Sequence, residues 1–361
     1  MAYLSLSTAN LPNPAIDPAQ GSSPEDYFGT VLYTAATTNG TYTHGDLSFR
    51  PDFTWIKNRN NVERHFLADV LRGNTSMTDK FLVSNDTAAE GTNGQSVTSF
   101  SVTDTGYEFV ENSITSGELY FSGRTYVGWN WKANGSGVSN TDGTITSTVS
   151  ANTTSGFSIV SYVSNGTNTG SVGHGLDQKP DIVIQKNRDT ASDWLVLTDL
   201  IDGSDDYLLL NSTAAAATAA GGANATTFVS WDRPSGDNMI CYAFHSVDGF
   251  SKIGKYVGNG STDGPFVYTG FRPAFLLVKV TNTASSWLMF DTKRDIANVV
   301  NDTELAPNSS GAEGADAGDV SHDILSNGFK WRATGGDVNG SGNTYIYMAF
   351  AENPFKYSNA R

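Results

Sequence analysis

FRPDFTWIKNR (49–59), QKPDIVIQKNR (178–188) and FRPAFLLVKVT (271–281) are three versions of one phrase, each running from a proline through an apolar stretch to a lysine six positions on, Lys57, Lys186 and Lys279. The match extends in both directions. Phe28, Phe157 and Phe250 each stand 23 positions before the proline, and His65, Trp194 and Trp287 each stand eight positions after the lysine. A small polar stretch follows in each copy, SNDTAAEG (84–91), NSTAAAAT (211–218) and PNSSGAEG (307–314), and then an aromatic run, TYVGWNWK (125–132), MICYAFHS (239–246) and TYIYMAFA (344–351). Four landmarks in one order make an internal repeat at domain scale, with units of about 95–110 residues. The organisation read from it is an N-terminal arm (1–26), repeat 1 with a linker (27–150), repeat 2 (151–248) and repeat 3 (249–361).

Within the repeats, apolar residues alternate with a period of two. Ile346, Met348 and Phe350 fall on one side of a strand and Tyr345, Tyr347 and Ala349 on the other; Val127, Trp129 and Trp131 share a side in repeat 1. This is the pattern of a half-buried antiparallel sheet. Asn39-Gly40, Asn93-Gly94, Asp142-Gly143, Asn165-Gly166, Asn259-Gly260 and Asp263-Gly264 are hairpin signals, because these dipeptides tolerate positive φ. Charged residues make up only 16% of the chain, and no long amphipathic helix is visible. The expected fold is therefore all-β: three tandem antiparallel β-sandwiches of jelly-roll or concanavalin-A-like lectin type. Pro12, Pro14, Pro18 and Pro24 mark residues 1–26 as an extended arm, either docked on a partner or loose. The segment 133–155 reads as a linker that lets repeat 1 move, or, through the alternation in TITSTVSA (144–151), as one more strand.

Twenty-two basic against 37 acidic residues give a net charge of −15, which repels phosphate backbones and excludes duplex nucleic acid as an expected partner. Cys241 is the single cysteine, so no intrachain disulfide forms; its place in a closing strand suits a buried small hydrophobe. No stretch approaches the ~20 apolar residues of a membrane span, and the first residues lack a signal-peptide pattern, so the expectation is a soluble chain made in a cytoplasm.

The search for chemistry is brief. The Glu-x-Asp-x-x-Glu pattern of a concanavalin-A-like glucanase is absent, and Glu108 and Glu111 lie three apart on a strand end, on opposite faces. The five histidines are scattered, without metal-ligand spacing. No catalytic residue is assigned. Calcium is the one metal considered, with Asp202, Asp205 and Asp206 in IDGSDDY (201–207) as its candidate loop against the reading of a solvated acidic turn. Trp194 and Trp287 follow polar loops and could stack on sugar rings, with Asp193 and Asn282 bonding hydroxyls, or could serve the repeats' cores.

GFSIVSYVSNGTNTGSVGHGLDQKPDIVIQKNRD, VGNGSTDGPFVYTGFRPAFLLVK and NTYIYMAFAENPFKYSNAR, with SSPEDYFGTVLYT and FRPDFTWIKNR, resemble the repeated β-sandwich modules of tail-associated proteins of marine bacteriophages. The resemblance covers nearly the whole chain, although repeat 2 lacks the Gly-x-Thr-Tyr entry to its last strand. It implies a non-enzymatic virion protein, released by lysis: a tail fibre or tail tip component that attaches to a host-surface glycan or protein. It implies also contacts with other virion proteins through the arm, and a homo-oligomer, trimeric by analogy with phage fibres. The alternatives are a capsid-decorating or tail-scaffold protein without a host ligand, and a depolymerase of surface polysaccharide.

Overall fold

The computed structural model describes residues 11–35, 40–73, 80–91, 97–111, 119–231, 233–294, 303–314 and 320–357. The Asn39 and Asn93-Gly94 turn signals lie outside them. The chain is all-β, built of antiparallel sheets. Each repeat carries one main sheet with the same strand order, opening, closing, inner, third. In repeat 1 these are Phe28–Thr34, Thr125–Trp131, Phe53–Asn58 and His65–Asp69; in repeat 2, Phe157–Val163, Asn238–Phe244, Ile182–Asn187 and Leu195–Thr198; in repeat 3, Ser251–Val257, Thr344–Pro354, Phe271–Val280 and Leu288–Asp291. The inner strand starts at or near the landmark proline in each case, and the closing strand is the aromatic run. A smaller sheet covers one face of each main sheet. It has three strands in repeats 1 and 3 and only two short ones, Ser171–Gly173 and Thr227–Val229, in repeat 2. At the Asn165-Gly166 and Asn259-Gly260 turns the glycines have φ of 79° and 66°, the left-handed conformation those signals anticipate, whereas Gly143 and Gly264 do not take it.

The alternation read from the sequence is present, but the sheets are not half-buried. Tyr345, Tyr347 and Ala349 face the small sheet of their own repeat. Ile346, Met348 and Phe350 face a second core, shared with Trp129 and Trp131 of repeat 1 and Tyr242 and Phe244 of repeat 2. Both faces of each main sheet are thus buried, which explains inner strands that are apolar almost throughout. At the centre, the rings of Trp131, Phe244 and Phe350, equivalent residues of the three closing strands, contact one another at centroid distances of 6.3, 5.6 and 6.0 Å.

The contacts between repeats form a closed cycle. Asn85, Asn211 and Asn308 each accept the backbone N–H of His65, Trp194 and Trp287 within their own repeats, at 2.8–2.9 Å, and so fix the polar stretches in register. Across the boundaries, Ser192 N–H donates to the Thr87 carbonyl (2.8 Å), Ser285 N–H to Thr213 (2.9 Å) and Glu63 N–H to Ser310 (2.9 Å). Repeat 2 binds repeat 1, repeat 3 binds repeat 2, and repeat 1 binds repeat 3 through equivalent atoms. Such a cycle requires rotation about one axis, as in a cyclic trimer. Equivalent loops therefore share an end of the body.

The segment before repeat 2 takes the strand reading: Ser147–Asn152 pairs along the opening strand Phe157–Val163, and Val138–Asn140 adds to it. The arm, expected from its prolines to be extended, is not extended throughout its described part. Pro18 and Pro24 begin short 3-10 turns, where a missing N–H costs nothing. Ile16 is fully buried in the shared core, Ala15 N–H donates to the Asp248 carbonyl (3.1 Å), and the Tyr357 hydroxyl donates to Asp17 (2.6 Å). This stretch closes the first repeat against the last.

Candidate functional site

The three landmark lysines sit at the boundaries between repeats. Each is fully buried, and each ammonium reaches a carbonyl of the neighbouring polar stretch: Lys186 to Thr87 (3.2 Å), Lys279 to Thr213 (3.2 Å) and Lys57 to Ser310 (3.3 Å). Burial lowers Lys186 and Lys279 to about 8. A base lowered by folding leaves the unfolded chain holding more protons between that value and the ordinary lysine range near ~10.4, so its contribution makes stability rise with pH in that window. The Cys241 thiol, pushed well up by burial, acts with the opposite sign above its ordinary range. The comparison that isolates the lysine is thus between wild type and Lys186→Met. The slope of unfolding free energy against pH from 8 to 9.5, from chemical denaturation, is expected to be lower in the variant by about one proton. An unchanged slope would mean that Lys186 does not titrate there.

Above the lysines lies a second ring. The Trp194 indole N–H donates to the Val83 carbonyl (2.8 Å) and that of Trp287 to Leu209 (2.9 Å), each in the neighbouring repeat. His65 holds the same place in repeat 1. Its Nδ1 accepts the Trp55 indole N–H (3.0 Å), its ring faces the Ala306 backbone, and burial holds it neutral, well below the usual histidine range. Trp194 and Trp287 are 0% and 2% exposed, which corrects the stacking reading: neither has a free face for a sugar ring. Asp193 is partly buried and accepts the Asn211 amide (2.8 Å). Asn282 is exposed, but its Oδ1 accepts Thr344 N–H (3.2 Å). Asn60 does the same for Thr125 and Asp189 for Asn238, at 3.2 and 2.6 Å, so this position anchors the first residue of each closing strand. The four residues are brought to the boundaries and rims as structural groups, not gathered into one site.

The acidic loop does not gather either. Asp202 accepts Ser204 N–H at 2.8 Å, Asp206 is buried in the strand Asp206–Leu209, and among the described residues no cluster of three metal-ligating side chains occurs. Asp202, Asp205 and Asp206 thus do not form a cluster of three ligating carboxylates.

Sequence reasoning missed two buried ionic triads. Arg72 binds Asp69 (2.5 Å) and Glu90 (3.4 Å), and Arg188 of repeat 2 also binds Glu90 (2.7 Å). Arg294 binds Asp291 (2.5 Å) and Glu313 (2.9 Å), and Arg59 of repeat 1 also binds Glu313 (2.9 Å). The Asp carboxylates accept a further bond from the next repeat's closing strand: Asp69 from the Tyr242 hydroxyl (2.7 Å), Asp291 from the Trp129 indole (3.0 Å). In repeat 2 the equivalent triad is Thr198, Ile201 and Ala216, and the residue facing it from repeat 3 is Met348, which has no proton to give. The whole polar set is present twice and replaced as a set once. The signal was available, since Asp and Arg stand 18 and 21 positions after the landmark proline in repeats 1 and 3.

An open concavity of about 520 Å³ lies on the seam between repeats 1 and 3. Its walls include Gly29, Thr30 and Asp46 of repeat 1 and Arg272, Lys293 and Glu352 of repeat 3, with Arg272 and Glu352 ion-paired. It is of mixed polarity, bordered by charges of both signs, and runs beside the opening strand of repeat 1. No helix among the described residues is long and apolar enough to cross a membrane. Comparisons with curated proteins and with solved structures return no match. A family model does match, over residues 23–354, which takes in all three repeats together with the end of the arm. The chain belongs to that family, the domain of unknown function DUF7483.

Proposed function

We propose that the protein is a non-catalytic virion component, a tail fibre or tail tip protein that attaches a bacteriophage to a glycan or protein of the host surface. The observation that carries the reading is the closed cycle of repeats around a shared core, which places three equivalent sets of polar loops at one end. Repeated weak contacts from such an end gain avidity without any deep pocket. The sequence resemblance to marine phage tail modules supplies the setting, and the excess of acidic over basic side chains suits a neutral or cationic ligand rather than nucleic acid. In this reading the threefold presentation of a trimeric fibre is built into one chain.

The test is binding of labelled protein to susceptible and receptor-deficient cells, with purified surface glycan as competitor. Selective binding that the glycan displaces supports attachment; equal or no binding to both cell types would remove it. The seam concavity favours a second reading, a decorating or scaffold protein, because an open sheet edge there suits a protein partner better than a sugar. Glu25, Asp46 and Glu352 also line it. As a depolymerase site it is the weaker candidate, with Glu352 engaged by Arg272 and the other two exposed, Glu25 in a 3-10 turn and Asp46 in a loop.

A further inference from the structure

Two boundaries of the cycle show what belongs in the seam. Between repeats 1 and 2, the strand Ser147–Asn152 lies on the outer edge of the opening strand Phe157–Val163. Beneath it are Val70–Arg72, which the strand contacts, and Ala133 and Asn134, bonded by the Asn152 amide (3.1 Å) and the Ser150 hydroxyl (3.0 Å). Gly175 closes the other side: a Cβ there would stand 2.9 Å from Val149 and 3.1 Å from Ala151. Counted from the repeat landmarks, the equivalents at the seam are Thr292–Arg294 for Val70–Arg72, Glu352 and Asn353 for Ala133 and Asn134, and Asp46 for Gly175. All three groups contribute walls of the 520 Å³ concavity. Where repeat 2 holds a strand, repeat 1 has an open groove of the same make.

The backbone agrees. Lys132 N–H bonds to the Tyr27 carbonyl and Ala35 N–H to Arg124, so the odd-numbered residues of the opening strand face the closing strand. Thr30 and Leu32 turn their N–H and C=O groups outward, and among the described residues nothing bonds them. Their equivalents, Ile159 and Ser161, pair with Ser150 and Thr148. At the third boundary the edge is closed another way: the Ser246 hydroxyl bonds both Ile253 N–H (3.0 Å) and its carbonyl (3.3 Å), and exposed Lys252 and Lys255 guard the strand. The opening strand of repeat 1 carries no charge, and its Leu32 is 39% exposed.

We infer that the seam groove is a β-augmentation site for an extended segment of a partner polypeptide. That segment pairs antiparallel with Phe28–Thr34, as Ser147–Asn152 does with its own neighbour. Ser, Thr or Asn side chains face the groove floor, as Ser150 and Asn152 do in the internal strand. Asp46 in place of Gly175 calls for a basic side chain where Val149 stands. This site goes beyond the attachment reading and holds whether or not the loop end binds a host.

The probe is the internal strand itself. Labelled peptides ITSTVSAN, the sequence of residues 145–152, and ITSTKSAN are titrated onto the full chain by fluorescence anisotropy. Saturable binding is expected, with the lysine peptide about two- to fivefold tighter and that preference lost in Asp46→Asn. Methylating the peptide's pairing amides, which leaves the protein untouched, and Thr30→Pro, whose missing N–H points outward, are both expected to abolish binding. No saturable binding of either peptide overturns the inference, as does binding indifferent to amide methylation. Binding that emerges only in a chain lacking residues 1–10 would show that the protein fills its own groove and would overturn the partner assignment.

Discussion

Asp69→Ala will destabilise the fold by about 3–5 kcal/mol, because it leaves the fully buried Arg72 guanidinium without its closest counter-charge and the Tyr242 hydroxyl without its acceptor. The molecule also contains the instructions for its rescue. Repeat 2 holds Thr, Ile and Ala where repeat 1 holds Asp69, Arg72 and Glu90, and the boundary it forms with repeat 3 closes against Met348. Transplanting that set as Asp69→Thr, Arg72→Ile, Glu90→Ala and Tyr242→Met removes the buried members of the network together and leaves only Arg188, which is partly exposed, without its Glu90 partner. Replacing a buried ionic triad by apolar residues is often neutral or stabilising, so the quadruple variant is expected to recover most of the loss. Denaturant midpoints of wild type, single and quadruple variants decide the matter. A quadruple variant no better than Asp69→Ala would mean that the triad's charge, and not its mutual satisfaction, holds the boundary.

The second large effect belongs to Trp194. Trp194→Ala removes a fully buried indole from the shared core and its hydrogen bond to the Val83 carbonyl across the boundary. A cost of about 3–5 kcal/mol is expected from the cavity alone. Trp194→Phe, which keeps most of the apolar volume but not the N–H, should cost less, with the unpaired carbonyl as its main penalty. Had the ring been a stacking platform for sugar, the alanine variant would lose ligand binding with little loss of stability. The opposite result is expected: a lowered denaturation midpoint, and loop-end binding unchanged at temperatures where the variant is still folded.

The strands were legible in the sequence because their period is strong: Ile346, Met348 and Phe350 do share a face, and the landmark prolines do introduce the inner strands. What the opposite faces of those strands meet was not legible. A residue that must be apolar looks the same whether it packs on its own small sheet or on two other repeats, so alternation alone suggested half-buried sheets. The closed cycle was hidden for the same reason. Its determinants are carbonyls of Thr87, Thr213 and Ser310, which any residue could supply, and lysines that read as strand ends until their burial is seen. Trp194 and Trp287 illustrate the converse. Their shared register was visible, but register cannot separate a ligand platform from a boundary lock, and His65, which accepts the Trp55 indole N–H in the same place, obscured the pattern further. The seam groove could not be read at all, since it exists as the difference between a boundary that has its strand and one that does not.

Differential scanning calorimetry of the full chain at neutral pH tests the closure of the three repeats around one core. A single transition is expected, with the calorimetric enthalpy equal to the van't Hoff enthalpy, because no repeat can open without exposing the shared aromatic centre of Trp131, Phe244 and Phe350. Two or three separable transitions, each with the enthalpy of an isolated sandwich, would contradict it and return the molecule to three independent modules on a string.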